Sequence, residues 1–541
     1  MKRFHLYTVN VVLLLLSACG NDYDELPDGG DNTPSAALRI EVNTSDFTPM
    51  GALDTRATDN GNTGSFEEGD RMGIIVLDKD GEILSDNIPY IYSGSAWSFD
   101  SNSNEGKVAV NYNNRASTYL AYFPYSKGAN GINSIDGLKE KFQPLSDQRT
   151  KDAYRTSDLL VWNETYTTSP NALTITLEHV YSCLSLPSVS VSCNINGASA
   201  ATTYESNWIS DVSFTLNGNP YSAYKATEGS HRIIITPQSI SASDRWFFTY
   251  NAKTYNGSMS VTTLAEKTRY TLTPSLSFGD YSLDKAKVGD FYCKDASGNG
   301  YLIPGEVASL TNDQKTACIG IVCCTDANRI GEAAKEALKE NGVTTPHGLV
   351  MALTNASEGC QWGEYYKDEN KDGREGEPFY GNTDKLNKQY NNVDGYAETH
   401  WMFEKLTNGG YSSDTYKAFA AARDYSVAVP NNTTGWFILS MGQWWDILSN
   451  LGGIDLTVYQ ESTSGSTSIS GAAETATKNM NVYLEKVNGA TTFSKGTYFW
   501  SSSESGSGTA CNVDFRSVGP LYLGGSYKDR TDIKVRCVLA F

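Results

Sequence analysis

The chain has 541 residues, which is too long for one hydrophobic core and predicts several domains. Its formal net charge of −19 argues against a nucleic-acid-binding protein and against electrostatic docking on anionic membranes, because both require clustered basic residues. The 33 tyrosines and 48 glycines, with only 16 prolines, favour β-rich domains with many turns over a helical bundle.

The first residues have the pattern of an export signal. The sequence MKRFHLYTVNVVLLLLSACG places basic residues before an apolar run too short to span a bilayer, which predicts a signal peptide over 1–18. Residues 16–19, Leu-Ser-Ala-Cys, resemble the bacterial lipobox, in which the cysteine becomes the acylated first residue of a lipoprotein. We therefore expect the lipid on Cys19 to be the one membrane attachment. An ordinary signal peptide with a chance cysteine is the alternative.

The residues from 37 to about 275 follow an all-β pattern. Leu38, Ile40 and Val42 alternate with polar residues, which predicts a strand with one apolar face. The sequence MGIIVLDKDGEIL then predicts two strands joined by a tight turn. Further short apolar runs at regular spacing leave room for two β-sandwiches.

Several fragments of this region resemble the Bacteroidetes fimbrillin family. They are Glu67-Glu68-Gly69-Asp70, YLAYFPYS (119–126), SDLLVW (157–162), LEHVYSCL (177–184) and TRYTLT (268–273). The resemblance implies two transthyretin-like sandwiches, at 57–165 and 166–280, and the role of a pilus subunit. The residues before them, 19–56, would form a lipid tether and a removable first strand.

The pattern changes near residue 283, where strands and helices alternate and predict an α+β domain over 283–541. The run GWFILSMGQWWDIL passes from strand to helix with Ser440 as a plausible N-cap, and Asn341-Gly342 is a helix C-cap signal. HGLVMAL (347–353), FWSSSES (499–505) and VRCVLAF (535–541) resemble the bacterial "major paralogous" domains. That resemblance implies a C-type-lectin-like fold whose final strand is packed.

The sequence carries no enzyme signature. The G-x-S-x-G, H-E-x-x-H and P-loop patterns do not occur, and five histidines leave few candidate bases. His179 and His347 lie within the family-like motifs, so a structural role is the simpler interpretation for both. We therefore expect a protein that is not an enzyme and needs no organic cofactor.

One stretch resembles a calcium loop. DENKDGREGEPF places Asp368, Asn370 and Asp372 at positions 1, 3 and 5, with a glycine at the sharp turn. Position 12 is Phe379, so the bidentate carboxylate is missing. The alternatives are a calcium site completed by another glutamate and a polar surface loop without metal.

Aromatic residues between 363 and 396 are the candidate ligand-binding residues. Tyrosines among glycine and asparagine suit adaptable recognition of sugars or proteins, and they equally suit anchoring of a long loop. The candidates are Tyr365, Tyr366, Tyr380, Tyr390 and Tyr396. Trp436, Trp444 and Trp445 are expected in the core.

Arg56 follows the first predicted strand. Thr55-Arg56-Ala57 resembles the step at which an arginine-specific protease trims fimbrillin precursors, so we expect cleavage between Arg56 and Ala57. Cleavage there would release the strand of Leu38, Ile40 and Val42 together with the lipid. The opened sandwich would then accept a strand from another pilin subunit.

The domain order predicts a tip subunit. A subunit that accepts a strand, and whose own last strand closes an extra domain, would terminate the fibre and present that domain as an adhesin. We therefore expect an outer-membrane lipoprotein precursor that reaches the pilus tip at the cell surface and binds a host or microbial ligand. The alternatives are a permanently anchored surface lipoprotein that binds glycan or protein, and a pilus anchor or assembly subunit.

Overall fold

A computed structural model describes residues 37–49, 66–103, 105–369, 379 and 383–541. Residues 1–18, Cys19, Arg56 and Ala57 lie outside the described residues. Two compact units account for the described chain: 37–47, 66–143 and 158–180 form the first, and 48–49, 144–157 and 181–541 form the second. Among all the residues described, no helix combines the length and the apolar character that a membrane span requires.

The first unit is one mixed sheet with the strand order β1-β8-β7-β6-β3-β4-β5. All pairs are antiparallel except β1 with β8, which run parallel. Its elements are β1 (Arg39–Thr44), β3 (Arg71–Asp78), β4 (Ile83–Tyr92), β5 (Trp97–Phe99), β6 (Ala116–Phe123), α1 (Ile135–Lys141), β7 (Leu160–Thr165) and β8 (Ala172–His179).

Alternation of apolar residues builds the core of the first unit. In β8, Leu173, Ile175 and Leu177 are fully buried while the residues between them are more exposed, as the period of two requires. Side chains from both end strands of the order, β1 and β5, pack on this same core. The sheet therefore curves around it.

The β-rich part of the second unit contains three larger sheets, with orders β11-β10-β21, β13-β12-β17-β18 and β14-β15-β9-β20-β2, and the pair β16-β19. Its elements are β2 (Thr48–Pro49), α2 (Lys151–Ser157), β9 (Ser182–Leu186), β10 (Val189–Ile195), β11 (Thr202–Ser206), β12 (Ser210–Leu216), β13 (Asn219–Ser222), β14 (Tyr224–Lys225), β15 (His231–Ile235), β16 (Gln238–Ser239), β17 (Arg245–Tyr250), β18 (Lys253–Ser258), β19 (Thr263–Leu264), β20 (Thr268–Thr271) and β21 (Ser275–Tyr281).

Residues 283–541, called the head below, mix strands with helices as the sequence predicts. The strands form sheets with orders β23-β22-β24-β25-β31-β26 and β27-β30-β29-β28. The elements are β22 (Phe291–Lys294), β23 (Gly300–Ile303), α3 (Asn312–Ala317), β24 (Cys318–Cys324), α4 (Glu332–Glu340), β25 (Leu349–Ser357), α5 (Leu386–Asn391), α6 (Gly395–Thr407), α7 (Lys417–Arg423), β26 (Phe437–Ile438), α8 (Met441–Asn450), β27 (Thr467–Ile469), α9 (Ala472–Leu484), β28 (Thr497–Gly506), β29 (Thr509–Phe515), β30 (Leu521–Tyr527) and β31 (Val535–Ala540).

The local signals in the head are confirmed. Ser440 caps α8 in a capping box, in which its hydroxyl accepts the Gln443 N–H and the Gln443 side chain accepts the Ser440 N–H. Helix α4 ends at Glu340 with Asn341 as its C-cap, and Gly342 follows with φ +86°, a conformation that glycine adopts without strain.

The division between the first two β-rich regions differs from the predicted boundary at 165/166. Strand β8 pairs with β1 and β7 and therefore belongs to the first unit, which extends to Val180. The alternating sequence of β8 is compatible with a strand of either β-rich region. Only its pairing with β1 and β7 shows that it belongs to the first unit. Whether these regions are transthyretin-like, and whether the head is C-type-lectin-like, stay predictions.

The head and the preceding β-region share one continuous hydrophobic core. A buried polar contact joins them where the chain passes between them: the Tyr281 hydroxyl donates to Asp290 Oδ2 at 2.8 Å. The other Asp290 oxygen accepts the Gly305 N–H at 2.9 Å. Burial raises the pKa of Asp290 to about 6, so its charge depends on these donors.

We predict that Tyr281→Phe lowers the free energy of unfolding by about 1.5–3 kcal/mol, because it removes a donor from a buried carboxylate. Urea denaturation followed by tryptophan fluorescence measures the change. Tyr366→Phe is the matched control, since Tyr366 is 74% exposed, and it should change stability by less than about 0.5 kcal/mol. Equal effects of the two substitutions would contradict the proposed anchoring.

Candidate functional site

Strand β1 has the apolar face that the sequence predicts. Leu38 is 7% exposed, and Ile40 and Val42 are half-buried against the core of the first unit, while Arg39 and Glu41 face outward. At its start, the Leu38 N–H donates to the Val110 carbonyl at 3.0 Å. The strand is therefore held by one buried row of side chains.

Among the described strands, the backbone of β1 pairs with one, β8. It runs parallel to β8, from Arg39 opposite Ala172 to Thr44 opposite Leu177, and it stands at the end of the strand order. If β1 were removed, the hydrogen-bonding edge of β8 and part of the apolar core would be uncovered. An uncovered edge of this kind is a template for another strand with apolar residues at alternate positions.

Strand β31 is placed very differently. It lies between β25 and β26 in the six-stranded sheet of the head, and every residue from Val535 to Phe541 is at most 1% exposed. Its Arg536 is fully buried and donates to the carbonyls of Ala352, Leu353 and Thr491 and to Asn355 Oδ1, all at 2.8–2.9 Å. The packed final strand expected from the sequence is thus observed.

A buried charged cluster joins distant parts of the head. The Lys528 ammonium is fully buried and contacts the carboxylates of Glu369 and Glu504, while the Tyr416 hydroxyl donates to Glu369 at 2.6 Å. Burial is the main cause that raises the pKa of Glu504 to about 8, and the hydrogen bond with Glu369 is the second. The Thr383 N–H donates to the Glu504 carbonyl at 3.0 Å, so the cluster fixes both Glu369 and Thr383.

The serine run FWSSSES has a structural role. Ser501, Ser502 and Ser503 are fully buried in β28, and each hydroxyl is hydrogen-bonded. Ser502 Oγ donates to Glu398 Oε2 at 2.5 Å, and Asn392 Nδ2 donates to Glu398 Oε1 at 2.8 Å. Sequence reasoning missed Glu398, because no periodic signal distinguishes a buried glutamate in a helix from an exposed one.

The candidate tyrosines fall into different environments. The rings of Tyr365 and the exposed Tyr366 contact each other at the surface, tilted by 50° with centroids 4.1 Å apart, beside the exposed Tyr527. Tyr396 packs edge-on against Phe437 and serves as an anchor. Tyr390 lines a cavity of the head, and Tyr380 lies outside the described residues.

The calcium prediction stays open. Asp368 is half-buried beside Glu369, whereas Asn370 and Asp372 lie outside the described residues. Phe379, at position 12 of the loop pattern, is buried and packs against Trp362 and Trp401, so this residue is a hydrophobic anchor. Within the described ranges, no group of three or more His, Cys, Asp or Glu side chains is arranged to hold a metal ion.

The histidine of the LEHVYSCL motif has a structural environment. His179 Nδ1 lies 2.8 Å from Asp158 Oδ1, and its ring stacks on Phe47 with centroids 3.6 Å apart. The imidazole thus connects the end of β8 with the segment after β1 and with the chain before β7. This is the structural role that the sequence favours for it.

Comparison with known proteins bears on the β-rich part. A family model described as fimbrillin-like matches residues 55–279. Among curated proteins, none matches the chain.

Similar solved structures include a fimbrial protein from Bacteroides ovatus, with 19% identity and a TM-score of 0.35 over 94% of this chain and 100% of that one. Proteins assigned to cell adhesion from Bacteroides ovatus and Bacteroides uniformis have 18% and 15% identity and TM-scores of 0.32 and 0.31; each alignment covers 46% of this chain and 94% of the other. All three TM-scores are below 0.5.

We predict that the stability of the protein falls between about pH 4.5 and pH 7 through Glu398. Burial raises the pKa of Glu398 in the folded protein to about 7 from its ordinary value of 4.5. The protonated Glu398 carboxyl contributes fully to the stability of the folded protein below the pKa that Glu398 has in the unfolded chain. This contribution is lost as the pH rises through the pKa that Glu398 has in the folded protein. The expected loss is about 3 kcal/mol.

Glu398→Gln should flatten this decline, measured as the urea midpoint between pH 4 and pH 8. Glu404→Gln is the matched control, because Glu404 is exposed on the same helix, α6. A Glu398→Gln profile with the same slope as that of the native protein would refute the assignment.

Proposed function

We propose that the protein is the tip adhesin of a fimbrillin-type pilus. It is exported as a lipoprotein acylated at Cys19 and is cleaved after Arg56. It is then assembled by accepting a donor strand in place of β1, and its head binds a ligand on a host or microbial surface. The observation that carries the proposal is the contrast between β1 at the end of one sheet and β31 inside another.

The properties of β1 support the acceptor role. A donor strand that replaced it would recover the edge of β8 and the pockets of Leu38, Ile40 and Val42. Full burial of one such side chain contributes about 1.5–3 kcal/mol, so a replacement with apolar residues at alternate positions gains several kcal/mol. The fimbrillin-like match begins at residue 55, beside the proposed cleavage position, and leaves β1 outside it.

The properties of β31 support the terminal position. To donate β31, the protein would have to open the interior of the head sheet and expose seven residues that are at most 1% exposed. A shaft subunit needs a strand that is free to leave. The head instead uses β31 for its own core, which favours a subunit that accepts a strand and presents a folded domain at the fibre end.

We predict that Arg56→Ala blocks processing. N-terminal sequencing of the native protein in purified fibres should begin at Ala57, whereas the variant should remain in the membrane fraction with acylated Cys19, because the protease requires arginine. Arg39→Ala is the control, since it removes an exposed arginine from β1 and should leave processing unchanged. Fibres that contain the intact acylated Cys19 would exclude the proposal.

We further predict that antibodies against residues 283–541 label the ends of fibres in immunogold electron microscopy. A strain that lacks this protein is the control for antibody specificity. Label along the cell surface would favour a permanently anchored lipoprotein, and label at fibre bases would favour an anchor subunit. Either pattern would contradict the tip position.

A further inference from the structure

The head contains a cavity of about 310 Å³ between α5, α8 and the loop 454–460. This volume is at the small end of the range of ligand pockets, which suits a ligand of monosaccharide size. Its wall includes Asp326, Arg329, Tyr390, Trp445, Asp455 and Gln460. These residues come from four separate segments of the chain, so only the folded head assembles them.

The aromatic part of the wall is held in place by Arg329. Its guanidinium lies 4.4 Å from the centre of the Tyr390 ring and donates to the Tyr390 carbonyl at 2.9 Å. Its Nε donates to both oxygens of Asp446 at 2.9 and 3.0 Å. The charges of Arg329 and Asp446 therefore balance each other, and the Tyr390 ring is fixed beside Trp445, with centroids 5.5 Å apart.

Two carboxylates of the wall have no cationic partner among the described residues. Asp326 Oδ1 accepts the Asn328 N–H at 2.9 Å, and Asp455 Oδ1 accepts the N–H and hydroxyl of Thr457 at 3.0 and 2.6 Å. These local bonds orient both carboxylates. The second oxygen of each accepts no hydrogen bond from another residue in the described ranges, so it is available to a hydroxyl donor.

The indole of Trp445 provides an independent observation. The side chain lines the cavity and is 1% exposed, and its Nε1–H is buried without a hydrogen-bond partner among the residues described. A buried donor without a partner is costly, and natural proteins rarely keep one without a reason. Because the nitrogen itself has almost no accessible surface, an acceptor oxygen of a ligand in the cavity would satisfy this donor once the indole turned toward it.

We propose that this cavity is the sugar-binding site of the head and that it takes a neutral hexose without a metal ion. A hexose presents hydroxyl donors to Asp326 and Asp455, oxygen acceptors to the indole N–H, and an apolar C–H face to aromatic rings. The two unpaired carboxylates repel uronic and sialic acids, which restricts the ligand to uncharged sugars. The inference rests on the proposed role of the head as an adhesin.

The test uses the full chain and defined probes in saturation-transfer difference NMR. The probes are methyl β-D-galactopyranoside, methyl β-D-glucopyranoside, methyl α-D-mannopyranoside, N-acetylglucosamine and D-glucuronate, each with and without chelator. We expect at least one neutral sugar to bind in both conditions, and glucuronate to bind roughly tenfold more weakly than that sugar because of the repulsion between like charges.

The Asp326→Asn/Asp455→Asn double variant should weaken binding of that sugar roughly tenfold or more, because each substitution replaces a charged acceptor. The same variant should bind glucuronate relatively better. Asp313→Asn/Asp414→Asn is the matched control, since it makes the same change in net charge at two exposed positions of the head. Circular dichroism confirms that both double variants are folded.

Three outcomes would overturn the inference: no neutral sugar binds, chelator abolishes binding, or the Asp326→Asn/Asp455→Asn variant binds as the control does. Tighter binding of lysine methyl ester than of every sugar would also overturn it, in favour of a site for amines. None of these outcomes decides the tip position, because immunogold labelling reports that position without reference to the ligand.

Discussion

The proposed assembly depends on one structural difference between two strands: the backbone of β31 is hydrogen-bonded on both edges, whereas that of β1 is hydrogen-bonded on one. Strand β31 has both edges paired, with β25 and β26, and its Arg536 donates four hydrogen bonds, three to β25 and one to the Thr491 carbonyl. Strand β1 has one neighbour in the strand order and one buried face. A strand that closes a core cannot also be given to a neighbour, whereas a strand at the end of a sheet can be exchanged at much lower cost. The proposed direction of assembly follows from this difference.

Local patterns allowed much of the fold to be predicted. Alternating residues indicate β1, β8 and β10 directly, and the Ser440 capping box and Gly342 mark helix ends that depend only on neighbouring residues. Pairing is a different matter. The parallel register of β1 with β8 joins residues more than a hundred positions apart, and no local pattern encodes it. For the same reason the boundary at 165/166 separated β8 from its sheet.

The polar interior of the head could not be predicted, because charged residues are expected at the surface. Lys528, Glu369 and Glu504 are buried together, and each is tolerable only because the others are present. The FWSSSES fragment is visible in the sequence as a motif, but the partners of its hydroxyls come from strand β29, from helix α6 and from Asn392 after α5. Trp445 illustrates a further limit: the sequence predicts a core residue, which is correct, yet the same ring lines a cavity. Burial and a role in binding are compatible.

Cleavage after Arg56 would remove both described strands that precede it, and the two losses are unequal. Strand β2 contributes two exposed residues paired with β20, and Pro49 has no N–H to donate. Strand β1 contributes six paired residues and an apolar row that covers part of a core. The need for a replacement strand would therefore arise in the first unit, while the second unit would retain its core through the proposed processing. A binding site built in the head would consequently be complete in the precursor as well as in the fibre, and processing would govern where the site is displayed while its affinity stayed the same.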